Sequence, residues 1–382
     1  MRIAVAMIHL GMKLVLNAAY DTRLGDGIAH YILRIAPALD RLCELTVLTP
    51  DPASFPPGCR TRRIPRWTSS RSGQLVWTFS LLHGYLPRNC DCVVSPTPVA
   101  APCLPIPTVA VVHDITPLVQ RRALNARTKS ASWASIQTIR WADGVVTDSE
   151  HTRNDLMRMN LLPGLRIGVV YAGPGVEPAE HNRGFGLDFR PYILYVGAHT
   201  LHKNIRRLIA AFARGGQAKN HRLVMTGSRD AGLLAHTQTA IRHFGVRDRV
   251  TVLPGGLSDE QVSDLYRNCS VFVYPSLYEG FGLPVLEAMA HGAPVACSRA
   301  SSLPEVGGDA VLYFDPLSAD DIAAKMREIL NCRELELALR RHGLARARKF
   351  SWDKAALGIY EAASAAVNRK HTKTLSRAGA WP

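Results

Sequence analysis

Apolar residues fall into two rhythms along this 382-residue chain. Short continuous runs rich in Val, Ile and Leu alternate with longer stretches in which apolar positions recur at helical spacing. Lys13 to Ala18, Leu45 to Leu48, Cys92 to Ser95, Thr108 to Val112, Gly144 to Ser149 and Ile167 to Val170 read as buried strands. So do Tyr192 to Val196, Leu223 to Thr226, Val250 to Leu253, Ser270 to Tyr274 and Val295 to Cys297. Runs apolar on both faces belong in a sheet covered on both sides, and alternation with helices makes that sheet parallel. Helices are predicted around Ile28, Tyr31, Ile32 and Ile35, around Ile205, Leu208, Ile209 and Phe212, and over Trp133–Trp141, Ile322–Leu330 and Trp352–Val367.

The pattern breaks once, in the Gly- and Pro-rich stretch Ala172 to Asp188, which reads as a linker. It divides the chain into residues 1–178 and 179–350. A last helix follows over 351–368, then a basic tail, 369–382, without periodicity and read as disordered. Residues 1–11 precede a second methionine: either Met12 is the true start, or residues 1–11 are an appendage outside the fold. The fold class is α/β, with two doubly wound domains of ordinary size.

Composition narrows the picture. A 47% hydrophobic and 20% charged chain is globular, and no apolar run is long enough to span a bilayer. The eight cysteines form no C-x-x-C pair, and Cys90, Cys92 and Cys103 read as ordinary buried thiols, so a reducing cytoplasm is expected. The net charge of +15 calls for an anionic partner or surface. Arg60, Arg62, Arg63, Arg66 and Arg71 crowd beside Trp67, ahead of an apolar run, Val76 to Leu82, that holds Trp77 and Phe79. This is either a segment for an acidic membrane interface or a solvated basic loop before a core helix. The basic residues are not interleaved with aromatics along a continuous face, which speaks against nucleic acid.

The candidate chemistry centres on Tyr274 to Pro294. A buried strand ends at Pro275, a loop carries Glu279, Gly280, Phe281, Gly282 and Leu283, and Pro284 is suited to begin a helix that Gly292 closes. Such a junction points free N–H groups and the positive end of a helix dipole at one place, where a phosphate is stabilised. Glu279 and Glu287 frame it, and carboxylates accept paired hydroxyl hydrogen bonds, which suits a nucleotide sugar. The plain alternatives are a solvated Glu279 and a Glu287 that only complements the dipole. Lys203, just before a helix, either places its ammonium on a leaving diphosphate or points into water. Gly25 and Gly27 lie in a glycine loop before the first helix and offer backbone N–H groups to donor phosphates or acceptor. His113 leaves a strand at its carboxyl end, and Asp114 beside it is suited to cap the next turn.

The E-G-F-G-L-P-V-L-E stretch resembles the E-x7-E motif of retaining glycosyltransferases of the GT-B class, family four. V-H-D-I-T-P-L resembles a segment of bacterial members, and Y-I-L-Y-V-G-A-H-T-L-H-K-N-I resembles the family's R-K-N segment. The resemblance covers roughly residues 12 to 367 and implies two Rossmann-like domains facing across a cleft, with the last helix crossing back to the first. It gives Glu279 and His113 the donor sugar, Glu287 the ribose, and Lys203 the diphosphate; Gly227 and Leu253 border the base. Where some members carry a phosphate-binding arginine this chain has Ala198 and His199, with Arg206 as a candidate substitute. The motif combination is most similar to bacterial GDP-mannose-dependent mannosyltransferases that build surface polysaccharide on a polyprenyl-diphosphate-linked acceptor. That implies a protein attached peripherally to the inner face of the membrane, using GDP-mannose as a substrate and needing no metal, since no Asp-x-Asp site occurs. A UDP-sugar donor, an epimerase of the same fold and a non-catalytic basic binding protein with a degenerate cleft remain the alternatives.

Overall fold

The computed structural model describes residues 11–24, 26–102, 104–119, 126–178, 191–215 and 220–378. The chain divides into two units, Met1–Ala172 with Ser351–Pro382, and Gly173–Phe350.

The first unit is built on β1 (Lys13–Asn17), β2 (Glu44–Thr49), β3 (Thr61–Arg63), β4 (Cys92–Ser95), β5 (Thr108–Val112), β6 (Gly144–Thr147) and β7 (Ile167–Val169), in the order β3-β2-β1-β4-β5-β6-β7. Every pairing is parallel, with Leu14 opposite both Leu45 and Cys92. β4 and β5 are buried along their whole length, as strands covered on both faces must be. The order reverses between β1 and β4, and ligands of doubly wound sheets lie beyond the carboxyl ends at such a reversal. The Gly27–Asp40 helix buries Tyr31, Ile32 and Ile35, and Asp26 caps it by accepting from Ala29 N–H at 2.9 Å.

Two features bear on the sequence reading, the first in line with its core-helix alternative and the second a departure from it. Trp77 is fully buried and donates from its indole nitrogen to Asn17 Oδ1 at 2.8 Å, so it lies in the core with Val15, Leu48, Ile64 and Val93. An indole must find an acceptor when buried, and the carboxyl end of β1 supplies one. The last helix does not stop at Val367 but runs over Trp352–Ala378, taking in most of the stretch read as a disordered tail. Arg369 and Lys370 explain the extension, because they donate to the main-chain oxygens of Asp143 and Leu104, both at 2.8 Å. Nearer its start this helix packs on the first unit's opening helix, with Trp352 edge-on to Tyr31.

The second unit holds β8 (Tyr192–Val196), β9 (Arg222–Thr226), β10 (Val250–Val252), β11 (Val271–Tyr274), β12 (Val295–Ser298) and β13 (Leu312–Phe314), ordered β10-β9-β8-β11-β12-β13 and again all parallel. Here the reversal lies between β8 and β11. The loops leaving those two strands carry Lys203 and Glu279.

Among the described residues no helix is long and apolar enough to cross a membrane.

Candidate active site

Lys203 and Glu279 meet. The Lys203 ammonium lies 2.6 and 2.9 Å from the two carboxylate oxygens of Glu279 and 2.8 Å from the Tyr274 hydroxyl. Three elements bring this about. Asn204 follows Lys203 in a left-handed conformation, φ 61°, which asparagine tolerates better than most residues. Its side-chain amide donates to the carbonyls of Pro275 and Pro316, at 3.0 and 2.7 Å, tying the Lys203 turn to the end of β11. The Glu279 backbone is held from the β12 side, its N–H donating to Ser301 Oγ at 2.8 Å and its carbonyl accepting from Ser302 Oγ at 3.0 Å.

Glu279 is 9% exposed. Burial alone would raise its pKa, but the charge and hydrogen bonds of Lys203, with Ser276 and His202, outweigh that and hold the carboxyl below its ordinary value. The Tyr274 hydroxyl goes the other way, well up, through burial and the nearby carboxylate. His202, where the resembling segment has arginine, is pushed down to about 4 by burial and by Lys203, against the pull of Glu279.

The helix after the loop spans Leu283–Ala290, one residue earlier than predicted, with Pro284 in its first turn. Gly282 precedes it at φ 110°, and a Cβ there would stand 2.6 Å from Leu303 Cδ2, so only glycine fits. The junction therefore sets the first turn of a helix beside two glycines, with Pro284 lacking an N–H and those of Val285 and Leu286 turned back to the Gly282 carbonyl. Gly227 serves the same close approach at the end of β9: a Cβ would come within 2.7 Å of the Gly197 backbone. Leu253 donates its N–H to Met225 O at 2.8 Å, placing it at the same edge, with Arg229 over Gly256 beside it.

Glu287 is buried and already shared. Oε1 accepts from Val176 N–H at 3.2 Å and Oε2 from the Tyr266 hydroxyl at 2.9 Å. Arg206 is not drawn to this group. It lines a groove of about 550 Å³ with Arg207, Arg214 and Leu317, to which neither Lys203 nor Glu279 contributes.

In the first unit, His113 follows β5. Its Nδ1 lies 2.5 Å from Asp148 Oδ2 and its Nε2 lies 2.9 Å from Pro96 O. Both partners are acceptors, so the ring must donate from both nitrogens and carry a charge. Burial would lower its pKa, yet the charge and hydrogen bond of Asp148, with the Pro96 carbonyl and Asp114, prevail and raise it. In this arrangement neither ring nitrogen is free for a sugar hydroxyl. Asp114 accepts from Thr116 N–H at 3.0 Å and caps the Thr116–Val119 turn. Gly27 opens the first helix; Gly25 lies outside the described residues.

Tyr274, Asn204, Ser301, Ser302 and Asp148 were not singled out in the sequence. Asn204 carried a signal as the N of the R-K-N-like segment, and Asp148 another, standing beside Ser149, which caps the next helix.

The paired parallel sheets and the cation, carboxylate and glycine junction at the second reversal define a glycosyltransferase of the GT-B class. The family model for glycosyl transferases group 1 matches residues 180–346, and that for glycosyltransferase family 4 matches residues 25–177, so the chain belongs to this family. Among curated relatives it is similar to O-antigen chain mannosyltransferase B of Escherichia coli, 36% identical over 55% of this chain and 57% of that protein. It also resembles the serotype-specific mannosyltransferase WbdA of Escherichia coli, 27% identical over 65% of this chain but only 32% of that longer protein. The chain thus aligns with just over half of one relative and a third of the other. Among solved structures, sucrose-phosphate synthase from Thermosynechococcus elongatus shares the fold, with a TM-score of 0.74 at 19% identity over 95% of this chain and 100% of that one.

Proposed function

We propose that the chain transfers mannose from GDP-mannose, with retention at the anomeric carbon, to a lipid-linked glycan at the inner face of the membrane during synthesis of a bacterial surface polysaccharide. The observation that carries this reading is the half-buried Lys203, held by Glu279 and Tyr274 where the second sheet reverses. As the bond from the anomeric carbon to the diphosphate breaks, negative charge grows on phosphate oxygens. In this reading Lys203 and the N–H of Leu283 stabilise it. Glu279, relieved of Lys203, accepts hydroxyls of the donor sugar, Glu287 accepts those of the ribose, and the departing oxygen takes the acceptor's proton. The contact to the sugar that family resemblance gives His113 belongs to the same proposal and requires its ring to release the Pro96 carbonyl or Asp148 when donor binds. The ammonium and the helix dipole supply the neutralisation, so we propose that no divalent metal is needed. The names of the Escherichia coli mannosyltransferases support mannose as the sugar.

The test is thermal denaturation with GDP-, UDP- and ADP-sugars at matched concentration, followed by assay of GDP release with a chelator present. GDP-mannose should raise the melting temperature, since saturation at 100 times Kd adds about 2.7 kcal/mol. Stabilisation by a UDP-sugar alone would move the donor assignment. No stabilisation by any donor would favour a non-catalytic binding protein, and a chelator-sensitive reaction would refute metal independence.

A further inference from the structure

We propose that Arg229 reads the base of the donor, its guanidinium donating to O6 and N7 of a guanine, so that this one side chain selects GDP over UDP and ADP. This rests on the GDP-sugar reading above and adds to it the group that enforces the choice.

Arg229 stands two residues beyond Gly227, which follows β9 at φ 109°. β9 is the next strand outward from β8, whose following loop carries Lys203, and β10 lies on the far side of β9. The loop after β10 brings Gly255 and Gly256 against the Arg229 side chain. A Cβ on Gly255 would stand 2.7 Å from Arg229 Cγ, and one on Gly256 would stand 2.5, 2.8 and 2.9 Å from its Nη2, Nε and Cζ. The side chain is therefore laid along the two glycines from Cγ to the guanidinium. Gly256 needs to be glycine in any case for its φ of 88°, but Gly255 has no such backbone demand. What its missing Cβ clears is room for Arg229 and for the Ser228 carbonyl.

Nothing on the protein explains this bed. Among the described residues the Arg229 guanidinium has no hydrogen-bond or ion-pair partner. Its neighbour Asp230 is engaged elsewhere, accepting from Leu233 N–H at 2.8 Å as the cap of the Ala231–His243 helix. Arg229 is exposed, so its five N–H donors are open to a ligand. A side chain already confined on one side also loses less freedom when it binds.

The bases differ in what they offer such a fork. Guanine sets two acceptors, O6 and N7, side by side, and an arginine meets them in bidentate fashion. Adenine places an amino donor beside N7, which opposes a guanidinium. Uracil presents O4 but has no N7 next to it. A phosphate at Lys203 and a base at Arg229 belong to adjacent strand ends, about 5 Å apart in a sheet, in the order in which a nucleotide laid across that edge meets them.

The experiment is calorimetric titration of the full chain, wild type and Arg229→Ala, with GDP, 7-deaza-GDP, ADP and UDP. The melting temperature of each protein without nucleotide is the folding control. 7-Deaza-GDP keeps O6 but has C–H in place of N7, so it should bind wild type about tenfold more weakly than GDP. Arg229→Ala should weaken GDP about tenfold, leave UDP nearly unchanged, and erase most of the difference between GDP and 7-deaza-GDP. Wild type that binds the two guanine nucleotides equally overturns the proposal, as does a folded variant that binds GDP like wild type. An equal loss of GDP and UDP in the variant makes Arg229 a phosphate contact and also overturns it. Wild type that prefers UDP or ADP to GDP sinks the donor reading and this assignment together, whereas a preference for GDP that neither change reduces sinks this assignment alone.

Discussion

Glu279→Gln keeps the volume of the side chain but removes the charge that Lys203 faces at 2.6 Å. Turnover should fall about 10²- to 10³-fold, the usual cost of losing a charge-assisted contact at the reacting centre; steady-state rates at saturating donor would show it, and wild-type turnover would remove Glu279 from the mechanism. Glu287→Ala should act mainly on donor affinity, seen as a raised KM. His113 makes a pH-dependent prediction. Its pKa lies above the ordinary 6.5 in the folded chain, so its stabilising contribution is complete below about pH 6.5 and fades as pH rises through the folded value. Asp148→Asn removes the carboxylate, so the His113 titration midpoint by NMR should drop and that alkaline loss of stability should shrink. An unmoved midpoint would mean Asp148 does not set the ring's charge. At this scale Glu279, Glu287 and Lys203 were legible because each stands at a strand-to-helix junction, and a local pattern can mark that. Tyr274 was not, because its hydroxyl matters only through Lys203, 71 residues away in sequence. Asp148 likewise reaches His113 across 35 residues.

Elements were read best where their apolar runs were long. β3 and β13 were not foreseen: Thr61–Arg63 holds no apolar residue, and each takes its place by pairing at a sheet edge with a neighbour. The π turn over Trp77–Leu81 was likewise invisible, because apolar residues at helical spacing suit either winding. The glycine junction makes a sharp prediction. Gly282→Ala must place a Cβ at φ 110° and against Leu303, which should cost about 1–3 kcal/mol in urea unfolding. An unchanged midpoint would show that the loop can relax without loss. The final helix gives another: ending the chain after Asn368 removes the Arg369 and Lys370 contacts and should lower the melting temperature, whereas ending it after Ala378 should not. Equal melting temperatures would return residues 369–378 to the status of a tail.

At the scale of the whole molecule, the alternating pattern placed both parallel sheets, and the Gly- and Pro-rich stretch begins where the first compact unit gives way to the second, at Ala172. What the pattern left open was the use of the charge. A basic, Trp-bearing segment reads identically whether its indoles face out or in. The fold separates them, turning Trp77 inward and leaving Trp67, Trp133 and Trp141 at the surface.

Lys203 rests on Glu279, so the cation at this junction has its own counter-ion. A simple oxyanion from the surrounding solution must first displace a carboxylate already seated in a bidentate grip, with nothing else to recommend it. Inorganic phosphate and sulfate should therefore inhibit weakly at millimolar levels, while an intact nucleoside diphosphate competes well; strong inhibition by phosphate alone would show that the resident glutamate guards nothing.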